Sequence, residues 1–343
     1  MHTYLIEMLE CPACHGKLEW NIIKQDENRI EAAEAHCEAC TATYPVRDGI
    51  GLFPTPELSR NDLWEQGDTW LFQHLRKHPE IERQLMETPL DALAPADQLF
   101  RADVLEERGN YIEARIIEDS AKRALYTPEY RDCMNSQLDY VVEWLSTTDG
   151  PIVDLASGRC GLVERLVRRL ERRVVATDFS PRVLRKDRRW LESFGLYERV
   201  SLLAFDARRT PFRDGAVDIL TTHLGLPNID ELGNVLRELQ RIVTGVFLAV
   251  SHFYPENDEA NAKAIRESGS ETALYRHAAL EHYAAAGWEV EVRNACRGEA
   301  RPTPFGTFLE GCGVDGLPVA DTNLEWCVLL ATNKVLDSKQ GTA

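Results

Sequence analysis

The 343-residue sequence holds no apolar run long enough to cross a membrane, which takes about 20 residues. Its first residues, Met1-His2-Thr3-Tyr4, are not a basic segment followed by an apolar core, so no secretory signal is expected. Positive charge is in deficit: 39 Lys and Arg stand against 56 Asp and Glu, a net charge of −17. That balance argues against tight, non-specific binding of nucleic acid, which needs phosphates to be neutralised by cations. Internal repeats and low-complexity segments are absent too. What is present, 44% hydrophobic and 28% charged residues, is the composition of a globular protein of one large or two ordinary domains.

Cysteine is not scarce, and its placement is informative. Cys11-Pro-Ala-Cys14 and Cys37-Glu-Ala-Cys40 form two CxxC pairs separated by residues 15–36. Each pair makes a tight knuckle with two thiolates on one side, and two knuckles complete a tetrahedral four-sulfur shell suited to structural Zn²⁺. The spacer reads as a hairpin, with Lys17 to Ile23 going out, a charged turn over Lys24 to Asn28, and Ile30 onward returning. A segment this short has no room for its own core, so the metal is expected to hold it. His15 and His36 flank the knuckles as alternative ligands. The other cysteines, Cys133, Cys160, Cys296, Cys312 and Cys327, are scattered and odd in number, which points to a reducing, cytoplasmic setting.

The charge is uneven. Between Arg159 and Arg189 eleven basic residues stand against four acids, Glu164, Glu171, Asp178 and Asp187. Two readings stay open: the solvated faces of two helices, or a patch for RNA or an acidic partner.

Residues 58–145 are helical in pattern, with breaks at Pro79, Pro89, Pro95, Gly109 and Pro128. After Gly150 short apolar runs alternate with helical segments, the signature of βαβ units and a mostly parallel sheet. Strands are expected at Ile152–Leu155, Val174–Asp178, Val200–Phe205, Val217–Thr221, Val246–Val250, Trp288–Val292 and Trp326–Thr332. The first is followed by Ala156-Ser157-Gly158-Arg159-Cys160-Gly161, a small-residue turn that lets a ligand approach the backbone. Asp178 ends the next strand, where a carboxylate suits the hydroxyls of a ribose, with Phe179 beside it. Asp206 ends the third, placed to bond an adenine amino group beside the backbone of Ala207.

The turn, Asp178 and Asp206, in that order on strand ends, resemble the class I S-adenosylmethionine-dependent methyltransferases from about Tyr111 to Lys334. The family's first motif reads acid-x-Gly-x-Gly-x-Gly. This chain keeps Asp154 and Gly158 but carries Ala156 and Cys160 at the outer glycine positions, both small. The run DILTTHLGLPNI, followed by LRELQRIV, resembles the branch that methylates small molecules such as quinone precursors. The resemblance implies an α/β fold: a Rossmann-like, seven-stranded sheet over 146–336, with its last strand antiparallel at the sheet edge. A zinc ribbon over 1–55 and a helical linker or lid over 56–145 precede it. It also implies S-adenosylmethionine as cofactor, held by Asp154, Ala156, Gly158, Asp178, Phe179, Asp206, Ala207 and His223.

The ribbon, CPAC…CEAC…YPVRDGI, resembles the small zinc-ribbon activator of tRNA and translation-factor methyltransferases. It also resembles the zinc head of the 23S rRNA guanine-N1 methyltransferases, and the domain order matches the latter. The Asn/Asp-Pro-Pro-Tyr motif of amino-group methylation is absent after the fourth strand, where Thr222-His223 stands instead. His223 and His252 occupy the ligand-bearing edge of the sheet, near Tyr254, and are the candidates for a direct chemical role. The reading is methyl transfer to a small-molecule acceptor in a pocket roofed by Tyr111 to Leu145, with the basic helix faces poorly placed to feed it. The alternatives are an RNA methyltransferase gripping RNA through the ribbon and the arginines, and a non-catalytic module that keeps the fold. No membrane partner is expected, and the oligomeric state is open.

Overall fold

A computed structural model of the chain describes residues 1–59, 63–309 and 313–333; Cys312 lies outside them. The ribbon forms four strands, β1 (Leu18–Asp26), β2 (Arg29–Cys37), β3 (Thr43–Arg47) and β4 (Ile50–Phe53). The expected hairpin is there, but β1 runs on through Asp26, so the reversal falls on Glu27 and Asn28 alone. Five helices follow: α1 (Leu63–Lys77), α2 (Pro79–Glu87), α3 (Pro95–Glu107), α4 (Tyr111–Leu125) and α5 (Pro128–Leu145). Proline opens α2, α3 and α5, where its fixed φ suits the first turn and its missing N–H costs nothing. Thr127 caps α5 by accepting from the Tyr130 amide at 3.1 Å.

The alternating part comprises β5 (Ile152–Leu155), α6 (Gly161–Leu170), β6 (Val174–Asp178), α7 (Pro181–Ser193), β7 (Val200–Phe205), β8 (Val217–His223), α8 (Leu232–Ile242) and β9 (Val243–Phe253). Helices α9 (Glu259–Glu267), α10 (Glu271–Leu274) and α11 (Arg276–Ala285) lead to β10 (Trp288–Ala300) and β11 (Thr322–Asn333). Every residue of β5, β6 and β7 is buried, as expected of parallel strands covered on both faces.

All these strands belong to one eleven-stranded sheet, in the order β1-β2-β3-β4-β7-β6-β5-β8-β9-β11-β10. This corrects the expectation of seven strands. The last seven positions of the order are the methyltransferase-like sheet; the first four are the ribbon, which continues it. The junction is parallel, with Ile50, Gly51, Leu52 and Phe53 opposite Leu202, Leu203, Ala204 and Phe205. Gly51 is required there, because a Cβ would lie 2.6 Å from Leu203 Cδ2. The final strand is also placed differently from the expectation. It is antiparallel, but it lies between β9 and β10, and β10 forms the edge.

The ribbon has no core of its own. Leu5, Leu9, Leu18, Val46 and Phe53 share one apolar cluster with Val153, Phe212, Leu236 and Phe247, on the α8 and α11 face. Leu138, Val142, Leu162, Leu184 and Leu248 fill the α5, α6 and α7 face. Helices α1 to α4 are organised differently. Leu75, Leu85, Phe100, Val104 and Leu125 form a small cluster separate from both faces. Among the described residues no helix is long and apolar enough to cross a membrane.

Candidate active site and metal centre

Cys11, Cys14, Cys37 and Cys40 are brought together, with all four sulfurs within 4.8 Å of one another. Cys11 and Cys40 are 3.6 Å apart and Cys14 and Cys37 are 3.4 Å apart. A tetrahedral shell with zinc–sulfur bonds of ~2.3 Å places its sulfurs about 3.8 Å apart, so the cluster fits zinc. The backbone amides of Cys40 and Ala39 aim at Cys37, and against the opposing effect of burial they bring its thiol down to about 7. The Tyr44 hydroxyl lies 3.3 Å from Cys11 Sγ, within reach to donate to the thiolate. Gly16 passes so close that a Cβ would lie 3.0 Å from Cys37 Sγ. His15 pairs with Glu10 at 2.6 Å and His36 with Thr43 at 3.0 Å, so neither stands in for a ligand.

The turn after β5 carries three residues at left-handed φ: Ala156 at 51°, Gly158 at 50° and Cys160 at 56°. For alanine and cysteine this backbone costs about 1 kcal/mol each, and neighbours must hold it. Ser157 donates its amide to Thr177 O at 2.7 Å, and its hydroxyl receives the Thr177 amide at 3.1 Å. The Gly158 amide donates to Asp178 Oδ2 at 3.2 Å, and the Ser180 amide to Oδ1 at 2.9 Å. Asp178 therefore ends β6 against the turn, beside Phe179. Gly225, beyond β8, crosses over this turn, where a Cβ would lie 2.8 Å from Ala156 Cβ.

Not every residue expected at the cofactor is free to face it. Asp154 lies beneath the turn, accepting from Thr221 Oγ1 at 2.6 Å; burial lifts its carboxyl to about 7. It ties β5 to β8. Asp206 reaches its strand end, but Arg208 grips both oxygens, Nη2 to Oδ2 at 2.7 Å and Nε to Oδ1 at 3.0 Å. Arg208 also donates to Glu231 at 2.9 Å and to the Ser59 carbonyl at 2.6 Å. Sequence reasoning missed Arg208 and Gly225; their only signals were an arginine two residues past a strand-end acid and a glycine just after β8.

His223 and His252 lie at the same edge, on β8 and β9. Burial, aided by the neighbouring His252, lowers His223 to about 4, and burial lowers His252 to about 4. Both rings are therefore neutral near pH 7. His223 Nε2 and His252 Nδ1 are buried without a hydrogen-bond partner. His252 packs edge-on against Trp326, with ring centroids 5.0 Å apart, and faces Tyr254 at 6.1 Å.

The basic stretch lies against the helical segment. Arg159, Arg165, Arg168, Arg169, Arg182 and Lys186 line a cavity of about 1310 Å³ between α6, α7 and the helices above them. Most of their charge is met by acids of the helical segment. Arg159 reaches Asp103 at 2.7 Å, Glu106 at 3.1 Å and Glu118 at 3.5 Å. Arg165 meets Asp139 at 2.9 Å, and from the opposite side Arg115 meets Glu164 at 2.9 Å. Helices α1, α3, α4 and α5 all contribute to its walls.

Comparison with known proteins agrees with this geometry. Residues 152–245 match the methyltransferase domain family and residues 2–49 the Trm112p-like protein family. The chain is 39% identical over 106 residues to the demethylmenaquinone methyltransferase of Thermus thermophilus, covering 30% of this chain and 47% of that protein. It is 30% identical over 94 residues to a ubiquinone/menaquinone biosynthesis C-methyltransferase of Idiomarina loihiensis, covering 27% of this chain and 38% of that protein. The chain thus spans less than half the length of these two curated relatives. A UPF0434 protein of Aliivibrio fischeri is 34% identical over 65 residues, 19% of this chain but 88% of that protein. Through its ribbon the chain belongs to the Trm112p-like, UPF0434 family, and the domain joined to that ribbon is a class I S-adenosylmethionine-dependent methyltransferase domain.

Proposed function

We propose that the chain transfers a methyl group from S-adenosylmethionine to a carbon of a small oxygenated acceptor of the quinone-precursor class. The observation that carries the reading is the strained turn at the switch point of the sheet, between β5 and β8, with Asp178 held against it. Bound S-adenosylmethionine supplies an already activated methyl group. Asp178 accepts hydrogen bonds from the ribose hydroxyls. The Ala207 backbone faces the adenine, and Asp206 stiffens that wall through Arg208. Asp154, Ala156, Gly158 and Phe179 shape the floor, and Gly225 lets the loop after β8 close over it.

The acceptor is positioned at the strand ends. His223 and His252, neutral and each with a ring nitrogen to spare, accept a hydrogen bond from an acceptor hydroxyl and orient its ring carbon toward the methyl group. Alignment supplies the rest of the rate. The two quinone-pathway methyltransferases that the chain partly matches support the acceptor class. The pairing of the basic helices with acids of the same chain weighs against RNA as substrate, since that charge is already neutralised.

Calorimetry with S-adenosylhomocysteine tests the cofactor assignment. Asp178→Ala should weaken binding by about 1–3 kcal/mol, the cost of losing a charged hydrogen-bond acceptor. Unchanged affinity would place the ribose elsewhere. Mass spectrometry of demethylmenaquinol, the reduced form that carries the ring hydroxyls, incubated with the protein and cofactor tests the acceptor. Cofactor binding without any gain of a methyl group would remove the quinone-precursor class.

A further inference from the structure

Two cysteines with no part in the proposed reaction meet in the joint between α5 and β10. Cys133 is on α5 and Cys296 on β10, and both pack in one apolar cluster with Tyr254, Leu324 and Trp326. Each sulfur lies against the other's element. Cys296 Sγ accepts from Nε2 of Gln137, one turn beyond Cys133 on α5, at 3.3 Å. Cys133 Sγ lies over Gly298, two residues past Cys296 on the same face of β10, where a Cβ would come within 3.2 Å of it. The Cys133 thiol hydrogen-bonds Cys296 across the joint. Both are free thiols.

The joint holds them in place. A bulge interrupts the pairing of β10 with β11 between Arg293 and Cys296, and Asn294 within it takes a left-handed φ of 50°. Bulges re-aim the side chains beside them. Gln137 fastens this one to α5: its Nε2 donates to the Asn294 carbonyl at 2.9 Å, and its Oε1 accepts from Asn294 Nδ2 at 3.1 Å. The two thiols differ in access. Cys133 is buried, and burial together with the neighbouring Cys296 pushes its thiol up to about 12, so it keeps its proton. Cys296 is partly exposed. A small oxidant therefore meets Cys296 first, with Cys133 in position to resolve the product.

We infer that Cys133 and Cys296 form an oxidative modification site, a thiol pair that hydrogen peroxide closes into an intrachain disulfide. The Cys296 sulfur attacks one peroxide oxygen and the O–O bond breaks. The other oxygen leaves as water with the thiol proton, and Cys296 becomes a sulfenic acid. The Cys133 sulfur then displaces that hydroxyl: the S–S bond forms, the S–O bond breaks, and the Cys133 proton leaves in a second water. One peroxide thus takes two electrons and two protons from the pair. A dithiol reductant reverses the link by exchange. The disulfide would fasten α5 beside Trp326, the residue opposite Cys296 in the ladder and the one on which His252 packs. The site does not depend on the identity of the methyl acceptor.

The test is mass-spectrometric peptide mapping of the full chain after hydrogen peroxide, with free thiols alkylated and no reduction before digestion. The expected product is a linked pair of peptides carrying Cys133 and Cys296, two hydrogens lighter than the separate pair and released by dithiothreitol. In Cys133→Ala the sulfenic acid loses its resolving partner, and dimedone should trap it on Cys296. In Cys296→Ser, Cys133 should stay reduced at the same dose. The wild-type map decides even where a variant fails to fold. Recovery of both thiols unoxidised, or a disulfide from Cys296 to Cys312 or Cys327 instead, would overturn the inference. Oxidation of wild-type Cys296 to sulfinic acid without any link to Cys133 would overturn it as well, because a resolving thiol in place forestalls that step.

Discussion

The ribbon and the helical segment both flank the catalytic sheet, and they are attached by opposite physics. The ribbon joins through a parallel backbone ladder at β4 and β7 and through an apolar cluster that it shares with the sheet. The helices α1 to α4 keep a small core of their own and meet α6 and α7 largely through charge, with Arg159 alone facing three acids. Backbone pairing and apolar burial are insensitive to salt and leave little freedom to separate. Charge pairs across a large cavity are screened by salt and reorganise without exposing a core. The ribbon is therefore an extension of the sheet, while the helices are a cover.

The largest expected effect tests whether the ribbon is part of the sheet. Cys37→Ser leaves three sulfurs, and the shared cluster means that the loss falls on the whole protein. Stability should drop by about 4 kcal/mol or more, in one cooperative urea transition shifted to lower denaturant. Two separate transitions, with that of the sheet unmoved, would break the comparison. Gly51→Ala probes the same seam without touching the metal. Its Cβ would meet Leu203 at 2.6 Å, and wedging β4 from β7 should cost about 1–3 kcal/mol with zinc content unchanged.

Arg159→Met probes the cover. The side chain is about a third exposed, so screening reduces the cost to about 1–2 kcal/mol. The sharper readout is salt: 1 M NaCl should weaken docking of the helices in the wild type and change little in the variant, as followed by proteolysis of residues 63–125. A wild type indifferent to salt would show that the cover is held by packing. The smallest effect is that of Tyr44→Phe. Losing the hydroxyl beside Cys11 should cost about 1 kcal/mol and lower zinc affinity roughly tenfold in chelator competition, leaving the sheet intact.

Legibility followed range. The two CxxC pairs, the helix breaks at Pro79, Pro95 and Pro128, the buried strands and the Asp178 turn are local patterns, and each is where the sequence places it. The pairing of β4 with β7 leaves no local trace, because an apolar run of four residues reads the same at an edge as inside a sheet. The interior position of β11 is equally silent, since antiparallel order is set by topology. The basic run from Arg159 kept two open readings for the same reason. Its partners, Asp103, Glu106, Glu118 and Asp139, lie 26 or more positions earlier, where they register only as an acidic helical stretch.

The seam between β4 and β7 also has a history in time. Phe53 leaves the ribosome 147 residues before Val200, the first residue of the strand it will join. At about 5–20 residues per second, β4 waits roughly 7–30 s with one edge unpaired. During synthesis the four-strand ribbon has an open flank and lacks most of the apolar cluster it will share with the sheet, and exposed edges of this kind recruit foreign strands. Early metal capture by Cys11, Cys14, Cys37 and Cys40 would hold the hairpin in register through that interval, so zinc supply during translation sets how much chain survives to close the sheet.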